Sequence, residues 1–370
     1  MTDLSRYFQK LVSGQAKRRR DRLLLSLLRL LSHPYALILR LRAEAYRLGF
    51  LRSYQLPCPV ISVGNITLGG TGKTPMVAWI AGYLMQRGLR VAVLSRGYGG
   101  SAQGAVHIVS DGSRVLLSPE QAGDEPCQLA GMLPGLMVAI GADRYSAGLK
   151  ALEELKPDVC ILDDGFQHLK LKRDLNVLLL DATQPFAIGF TLPGGLLRES
   201  VAAAGRADLV VYTRSQEGQT GPELFPDKPS CWTKHRFSGI VPLAGSEPLD
   251  LATAGNCRVL AFSGIADPEA FFRGLEQVGV QPVTTLSFPD HTPYGEAEIA
   301  AILRLKVASR STLLLTTQKD AVKLVPYADR LADCFAVVLE LATDNARPLE
   351  AALEKVLQAT GTFSRNPGSR

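Results

Sequence analysis

The stretch VGNITLGGTGKTP, Val63 to Pro75, decides the fold. It continues the apolar run PVISVGN and leads into a helical pattern over roughly residues 75 to 87. A strand, a glycine-rich turn and a helix in that order aim backbone N–H groups at one point, where the helix N-terminus adds positive potential. That geometry suits phosphate. Gly69, Gly70 and Gly72 permit positive φ and close backbone approach, while Thr71 and Pro75 complete the turn and the helix start. Lys73 is placed to reach β- and γ-phosphates, and the Thr74 hydroxyl to help hold magnesium. Against the P-loop consensus G-x-x-x-x-G-K-[ST], Thr67 stands where the first glycine belongs. Taken alone, the block also reads as a glycine-rich turn with a solvated lysine.

A second signal is DVCILDDGFQHLKLKRD, residues 158 to 174. An apolar strand ending in paired carboxylates, Asp163 and Asp164, supplies the magnesium-binding end of a nucleotide site. Strand alternation sends adjacent side chains opposite ways, so one of the two is expected to meet the metal directly. An Asp-Asp-Gly turn at a strand end is the bland alternative, and its order and spacing behind a P-loop weigh against it.

Beyond residue 53, strands alternate with helical stretches, the sign of a mostly parallel sheet with crossover helices. The candidate strands PVISVG, RVAVLSRG, DVCILDD, LNVLLLDA, DLVVYTR, CRVLAFSG, STLLLTTQ and CFAVVLEL are mostly continuous apolar runs, as strands buried on both faces are. Further helices are expected over roughly 142 to 155, 267 to 277, 295 to 308 and 346 to 358. The fold class is α/β: a P-loop NTPase-like domain over 53–212, a polar linker with an exposed strand pairing over 213–250, and a second, smaller α/β domain over 251–360. The tail 361–370 reads as disordered.

The net charge of +6 over 370 residues is unevenly placed. Residues 1–52 hold twelve Lys/Arg against three Asp/Glu, so the rest of the chain is net acidic. In AKRRRDRLLLSLLRLLSHPYALILRLRAEAYRLGFL, leucines recur at helical spacing between Arg29, Arg40, Arg42 and Arg47, and Pro34 is expected to kink or divide the helix. The charges fit neither a secretory signal nor a spanning helix well. They fit a basic amphipathic helix lying on an anionic membrane surface; docking on the protein's own core is the alternative. No basic patch with interleaved aromatics follows, which weighs against a nucleic-acid partner. Six cysteines without C-x-x-C pairing read as reduced core thiols and give no zinc site.

Taken in order, VGNITLGGTGKTP, SRGYGG, GDEP, ILDDGFQH, LPGGLLRES, FPDHTPY and TQKDAVKL resemble the tetraacyldisaccharide 4'-kinase family of lipid A biosynthesis. The resemblance covers nearly the whole chain, its basic N-terminus included. It implies a peripheral kinase at the cytoplasmic face of the bacterial inner membrane, using ATP and Mg2+; no obligatory protein partner is inferred. The γ-phosphoryl group would move to the 4'-hydroxyl of a tetraacylated glucosamine disaccharide 1-phosphate. By the same resemblance Asp124 of GDEP takes the acceptor proton and His291 of FPDH orients or charge-balances it. Alone, Asp124 reads as a helix N-cap and His291 as a satisfied surface histidine. Arg144 in GADRYSAG, and Arg198 with Glu199 in LLRES, are candidates for gripping the anionic disaccharide and nucleotide, or else helix-surface ion pairs. Tyr98, Gln167 and His168 rank lower as substrate contacts. One block departs from the family: LPGGLLRES has Gly195 where a proline-containing PxGPLRE pattern is usual, while Arg198–Glu199 is kept.

The competing reading is a switch GTPase or ATPase of the metallochaperone or partitioning type. It rests on TQKD, Thr317 to Asp320, which mimics a guanine-recognition block. A non-catalytic, nucleotide-binding membrane adaptor is a third possibility.

Overall fold

The structure, a computed structural model, describes residues 3–12, 18–102, 104–215, 224–243 and 249–359. The tail expected to be disordered, and residues 216–223 and 244–248 of the expected linker, lie outside them. Twelve strands are described: β1 Val60–Asn65, β2 Val91–Ser95, β3 His107–Asp111, β4 Met137–Ile140, β5 Val159–Asp163, β6 Leu175–Asp181, β7 Leu209–Thr213, β8 Ser230–Pro242, β9 Val259–Ser263, β10 Pro282–Ser287, β11 Leu313–Thr317 and β12 Cys334–Thr343. The helices are α1 Asp3–Val12, α2 Arg19–Arg47, α3 Lys73–Gln86, α4 Pro119–Ala122, α5 Asp124–Met132, α6 Arg144–Glu154, α7 Leu251–Gly255, α8 Pro268–Gln277, α9 Glu296–Ala308, α10 Gln318–Leu324 and α11 Arg347–Ala359.

The strands form one sheet in the order β10-β9-β11-β12-β8-β7-β6-β1-β5-β2-β4-β3. Its pairs are parallel except β3 with β4 and β8 with β12. Strand β8 starts parallel to β7 at Ser230–Trp232, then runs antiparallel to β12 from Thr233 to Pro242. It therefore joins a P-loop half to a second half built on β9, β10 and β11. All eight candidate strands occur, and the fold is the α/β, mostly parallel one expected.

Helices cover both faces because strands apolar on both sides must be covered twice. On one face α3, α5 and α11 bury Met76, Leu84, Leu129 and Leu353 against Ile61, Val93 and Ile161. On the other, α6 sets Ala147 and Ala151 against Leu94 and Leu162. Each fully buried leucine or isoleucine contributes about 1.5–3 kcal/mol. Helix α11 follows β12 in the chain yet packs on the P-loop half, where Glu354 accepts from the Tyr83 hydroxyl and pairs with Arg87.

Helix α2 is continuous through Pro34, so the proline does not divide it. A missing N–H removes one bond from a ladder of 29 residues, too little to end it. Leu23, Leu27, Leu30, Ile38 and Leu41 are more than half exposed. A narrow strip of the helix docks instead. The Ser32 hydroxyl donates to the Thr191 carbonyl at 2.7 Å and accepts the Gly194 N–H at 2.9 Å, and Arg29 lies over the Phe190 ring. Gly194 is needed there, since a Cβ would come within 2.5 Å of the Arg29 Cα.

Candidate active site

The P-loop is built as its glycines require. Gly69 and Gly72 have φ of +115° and +79°, and α3 starts at Lys73, so the turn's N–H groups and the helix N-terminus share one focus. Thr74 and Pro75 fall in the first turn, where a proline's missing N–H costs no ladder bond. Asn65, buried at the end of β1, donates to the Thr71 hydroxyl at 2.8 Å and to the Thr67 hydroxyl at 3.3 Å. Thr67 thus contributes an acceptor that ties down the turn, which explains a threonine where the consensus has glycine.

The LPGGLLRES strip runs alongside. Leu68 N–H donates to the Leu196 carbonyl and Arg198 N–H to the Ile66 carbonyl. Laid on this geometry, the PxGPLRE pattern puts its glycine at Gly195 and its second proline at Leu196, so the departure falls on Leu196 rather than Gly195. Gly195 has to be glycine: a Cβ would stand 2.2 Å from the Phe190 carbonyl oxygen.

The two carboxylates at the end of β5 take different partners. Asp163 is buried and accepts from the Ser95 hydroxyl at 3.0 Å; burial, with Glu125 and Asp164 close by, pushes its carboxyl up to about 7. Asp164, at φ +52°, meets Arg198 Nη1 at 2.6 Å and Lys73 Nζ at 3.7 Å. Burial works to raise its carboxyl too, but Lys73 and Arg198 outweigh it and hold it below the ordinary range. Its Oδ1 is buried without a hydrogen-bond partner. Hard oxygens and that open lone pair suit Mg2+. Among the described residues no group of three or more His, Cys, Asp or Glu converges on a metal position. A cation here would draw its remaining ligands from phosphate and water, as Mg2+ commonly does.

The second half brings His291 to Asp124. Asp124 opens α5, and His291, at φ +60° between β10 and α9, approaches with Nδ1 3.0 Å from its Oδ2. Two lysines of the TQKDAVKL block, to which the sequence reading gives no part in this site, complete the cluster. Lys323, almost fully buried, lies 3.3 Å from Asp124 Oδ2 and 3.4 Å from Asp320 Oδ1; Lys319 lies 3.1 Å from Asp290 Oδ1 and 3.3 Å from His291 Nε2. An ammonium can only donate, so His291 Nε2 accepts and Nδ1–H donates to Asp124. Burial raises the Asp124 carboxyl, yet His291 and Lys323 more than offset this and keep it below the ordinary range. Both act on Oδ2. Their i, i+4 spacing on one helix face is the signal in the sequence for the two lysines.

The guanine-like TQKD block does a different job. Thr317 caps α10 through the Asp320 N–H, and Asp320, fully buried, accepts the Gly264 N–H at 3.0 Å and the Thr317 hydroxyl at 2.7 Å. An aspartate that reads a base must reach it, and this one is enclosed.

The remaining candidates divide. Arg144 is buried near Asp163 and Asp164 with Nη1 on the Ala142 carbonyl; burial, then Arg96, lowers its pKa. Gln167 Nε2 donates to the Asn65 carbonyl, and the Gln167 backbone carbonyl accepts from Arg42 of α2. His168 is kept neutral, its pKa lowered to about 4 by burial. Glu199 is buried in an ion pair with Arg206. Tyr98 is exposed on the loop after β2.

The family model for tetraacyldisaccharide-1-P 4'-kinase matches residues 24–358. The tetraacyldisaccharide 4'-kinase of Geobacter metallireducens is 55% identical over 337 residues, 91% of this chain and 99% of that protein. That of Geobacter sulfurreducens is 50% identical over 351 residues, 95% of this chain and 99% of that one. The crystal structure of LpxK from Aquifex aeolicus in complex with ATP, 36% identical, matches 90% of this chain and 99% of its own with a TM-score of 0.77. On this match of sequence and fold, the chain belongs to the tetraacyldisaccharide-1-phosphate 4'-kinase family.

Proposed function

We infer how this chain carries out its family's reaction, transfer of the γ-phosphoryl group of ATP to the 4'-hydroxyl of tetraacyldisaccharide 1-phosphate in lipid A biosynthesis. The Gly69–Gly72 turn seats the phosphates, and Lys73 offsets charge on the β- and γ-oxygens. Mg2+ bound by Thr74 and one of Asp163 and Asp164 would neutralise the leaving diphosphate. Arg198, fixed by Asp164 beside the P-loop, holds an anionic group of donor or acceptor. Arg144 balances the carboxylate pair from within.

A sugar hydroxyl is a poor nucleophile. With Oδ2 of Asp124 held by His291 and Lys323, Oδ1 is the oxygen that takes the hydroxyl proton as the acceptor oxygen bonds to the γ-phosphorus and the bond to ADP breaks. A carboxylate with a depressed pKa is a weak base, adequate when transfer is largely dissociative and the proton leaves late. Its contribution is about 10²- to 10⁴-fold. The observation that carries this reading is the Asp124–His291 contact, 167 residues apart in sequence, joining the P-loop half to the second half.

The acceptor is a lipid, and α2 is long and apolar enough by composition to cross a membrane. Its exposed leucines, the Arg18–Arg20 run and the Ser32 dock favour a helix lying on the cytoplasmic face of the inner membrane, attracted by anionic lipid. The test is direct: γ-labelled ATP with detergent-dispersed tetraacyldisaccharide 1-phosphate should give labelled lipid. ATP hydrolysis with no label in the lipid would sink the reading.

A further inference from the structure

β1 lies between β5 and β6 in the sheet. Lys73 leans to Asp164 at the end of β5, and α5, which carries Asp124, packs on β3 and β4 further along that side. On the opposite side, the carboxyl ends of β6 and β7 carry a second charged pair that transfer does not use. Asp181 ends β6 and accepts from the Thr183 N–H and hydroxyl through Oδ1; its Oδ2 meets Arg214 Nη1 at 3.1 Å. Arg214 follows β7 at φ +58°, a conformation that a non-glycine residue adopts only at a cost. The backbone turns there so that the guanidinium reaches back to the P-loop, Nη2 lying 3.9 Å from the Cβ position of Gly70. On β8, His235 Nε2 is buried without a hydrogen-bond partner, 2.7 Å from the Cβ position of Gly72. Burial, then Arg214, lowers the His235 pKa to about 4, so the ring is neutral.

A nucleoside triphosphate seated on the P-loop with its γ-phosphate toward β5 must extend its other end over the carboxyl ends of β6 and β7, where ligands of open α/β sheets lie. We propose that the strip His235–Arg214–Asp181 seats the nucleoside monophosphate end of the donor: Nε2 of His235 toward the α-phosphate, the planar guanidinium of Arg214 beneath the base, and Asp181 toward the ribose hydroxyls. This rests on the kinase reading and gives the donor a direction. Each side chain has the chemistry its place demands. A neutral imidazole N–H donates to phosphate, a guanidinium stacks on a flat ring, and a carboxylate accepts from vicinal hydroxyls.

The test compares ATP with inorganic tripolyphosphate, which has the phosphates and no nucleoside. Calorimetric titration of the full chain should show Arg214→Ala, through the lost stacking plane, and Asp181→Asn, through one lost charge-assisted hydrogen bond, each weakening ATP about tenfold, with tripolyphosphate changed less than about twofold. Arg214→Lys keeps the charge, loses the planar fork and should also weaken ATP selectively; it serves if the alanine variant fails to fold. Unchanged ATP binding in the variants, or equal losses for ATP and tripolyphosphate, overturns the assignment. Lipid labelling by the wild-type chain tests the kinase reading independently, so failure of one is distinguishable from failure of the other.

Discussion

Two blocks of this chain read as nucleotide motifs, GTGKT at Gly70–Thr74 and TQKD at Thr317–Asp320, and the fold uses them in opposite ways. At the first, the partners are loosely held: Lys73, its side chain 12% exposed, stands 3.7 Å from Asp164, whose side chain keeps 31% of its exposure. At the second, Asp320 is 0% exposed, with Gly264, Thr317 and Lys323 around it. Access separates a binding motif from a structural one when the letters do not. The closed block nonetheless reaches the site, because α10 carries Lys319 to His291 and Lys323 to Asp124.

The largest effect should come from the open block. Lys73→Ala removes the cation facing developing phosphate charge and should lower kcat/KM about 10³-fold in steady-state kinetics. A loss under about tenfold would move the phosphate seat away from this turn.

Asp320→Ala sharpens the contrast from the closed side. It leaves Lys323 buried beside Asp124 with one partner fewer and should cost about 3–5 kcal/mol in urea unfolding, with no change in preference between ATP and GTP. A well-folded variant with altered nucleotide preference would restore the guanine-block reading.

Lys323→Met should act through Asp124. In the native chain this carboxyl binds its proton less tightly than in the unfolded chain. It therefore contributes stability that is present above the unfolded aspartate pKa and fades as pH falls through the lower native one. Without Lys323 the carboxyl rises, so the acid limb of kcat/KM should move to higher pH. An unmoved limb would mean that Lys323 does not set the base.

The smallest effect on turnover is expected at α2. Leu30→Ser with Ile38→Ser should release the chain from anionic vesicles, while use of detergent-dispersed acceptor suffers much less. Binding that ignores lipid charge and salt would remove the electrostatic part, since such attraction decays over about 8 Å at physiological ionic strength.

What is legible in the sequence depends on how many neighbours a feature needs. Buried parallel strands such as VISVGN and VCILD announce themselves as apolar runs, and the glycines of the P-loop carry their own conformational reason. Strands β3, β4 and β10 escape such a reading: β4 is four residues long, and β10, at the sheet edge, alternates half-buried and exposed positions. Helix α10 is hidden inside a block that looks like a loop motif. Charged residues stay ambiguous longest. Glu199 reads as a substrate contact or as an ion-pair partner, and its carboxylate is buried against Arg206, a pairing that no local spacing announces. The Asp124–His291 pair is reachable through family resemblance alone, because only the folded sheet brings the two halves together.

The most direct test of the assembled base is a double-mutant cycle on Asp124 and His291, read as kcat at saturating ATP and acceptor. Asp124→Ala should lower kcat about 10²- to 10⁴-fold with ATP affinity nearly intact, His291→Ala should also be damaging, and the double variant should be little worse than Asp124→Ala, because partners in one unit do not lose twice. Near-normal kcat in Asp124→Ala, or losses that add in full, would contradict it and make Asp164 the next carboxylate to test.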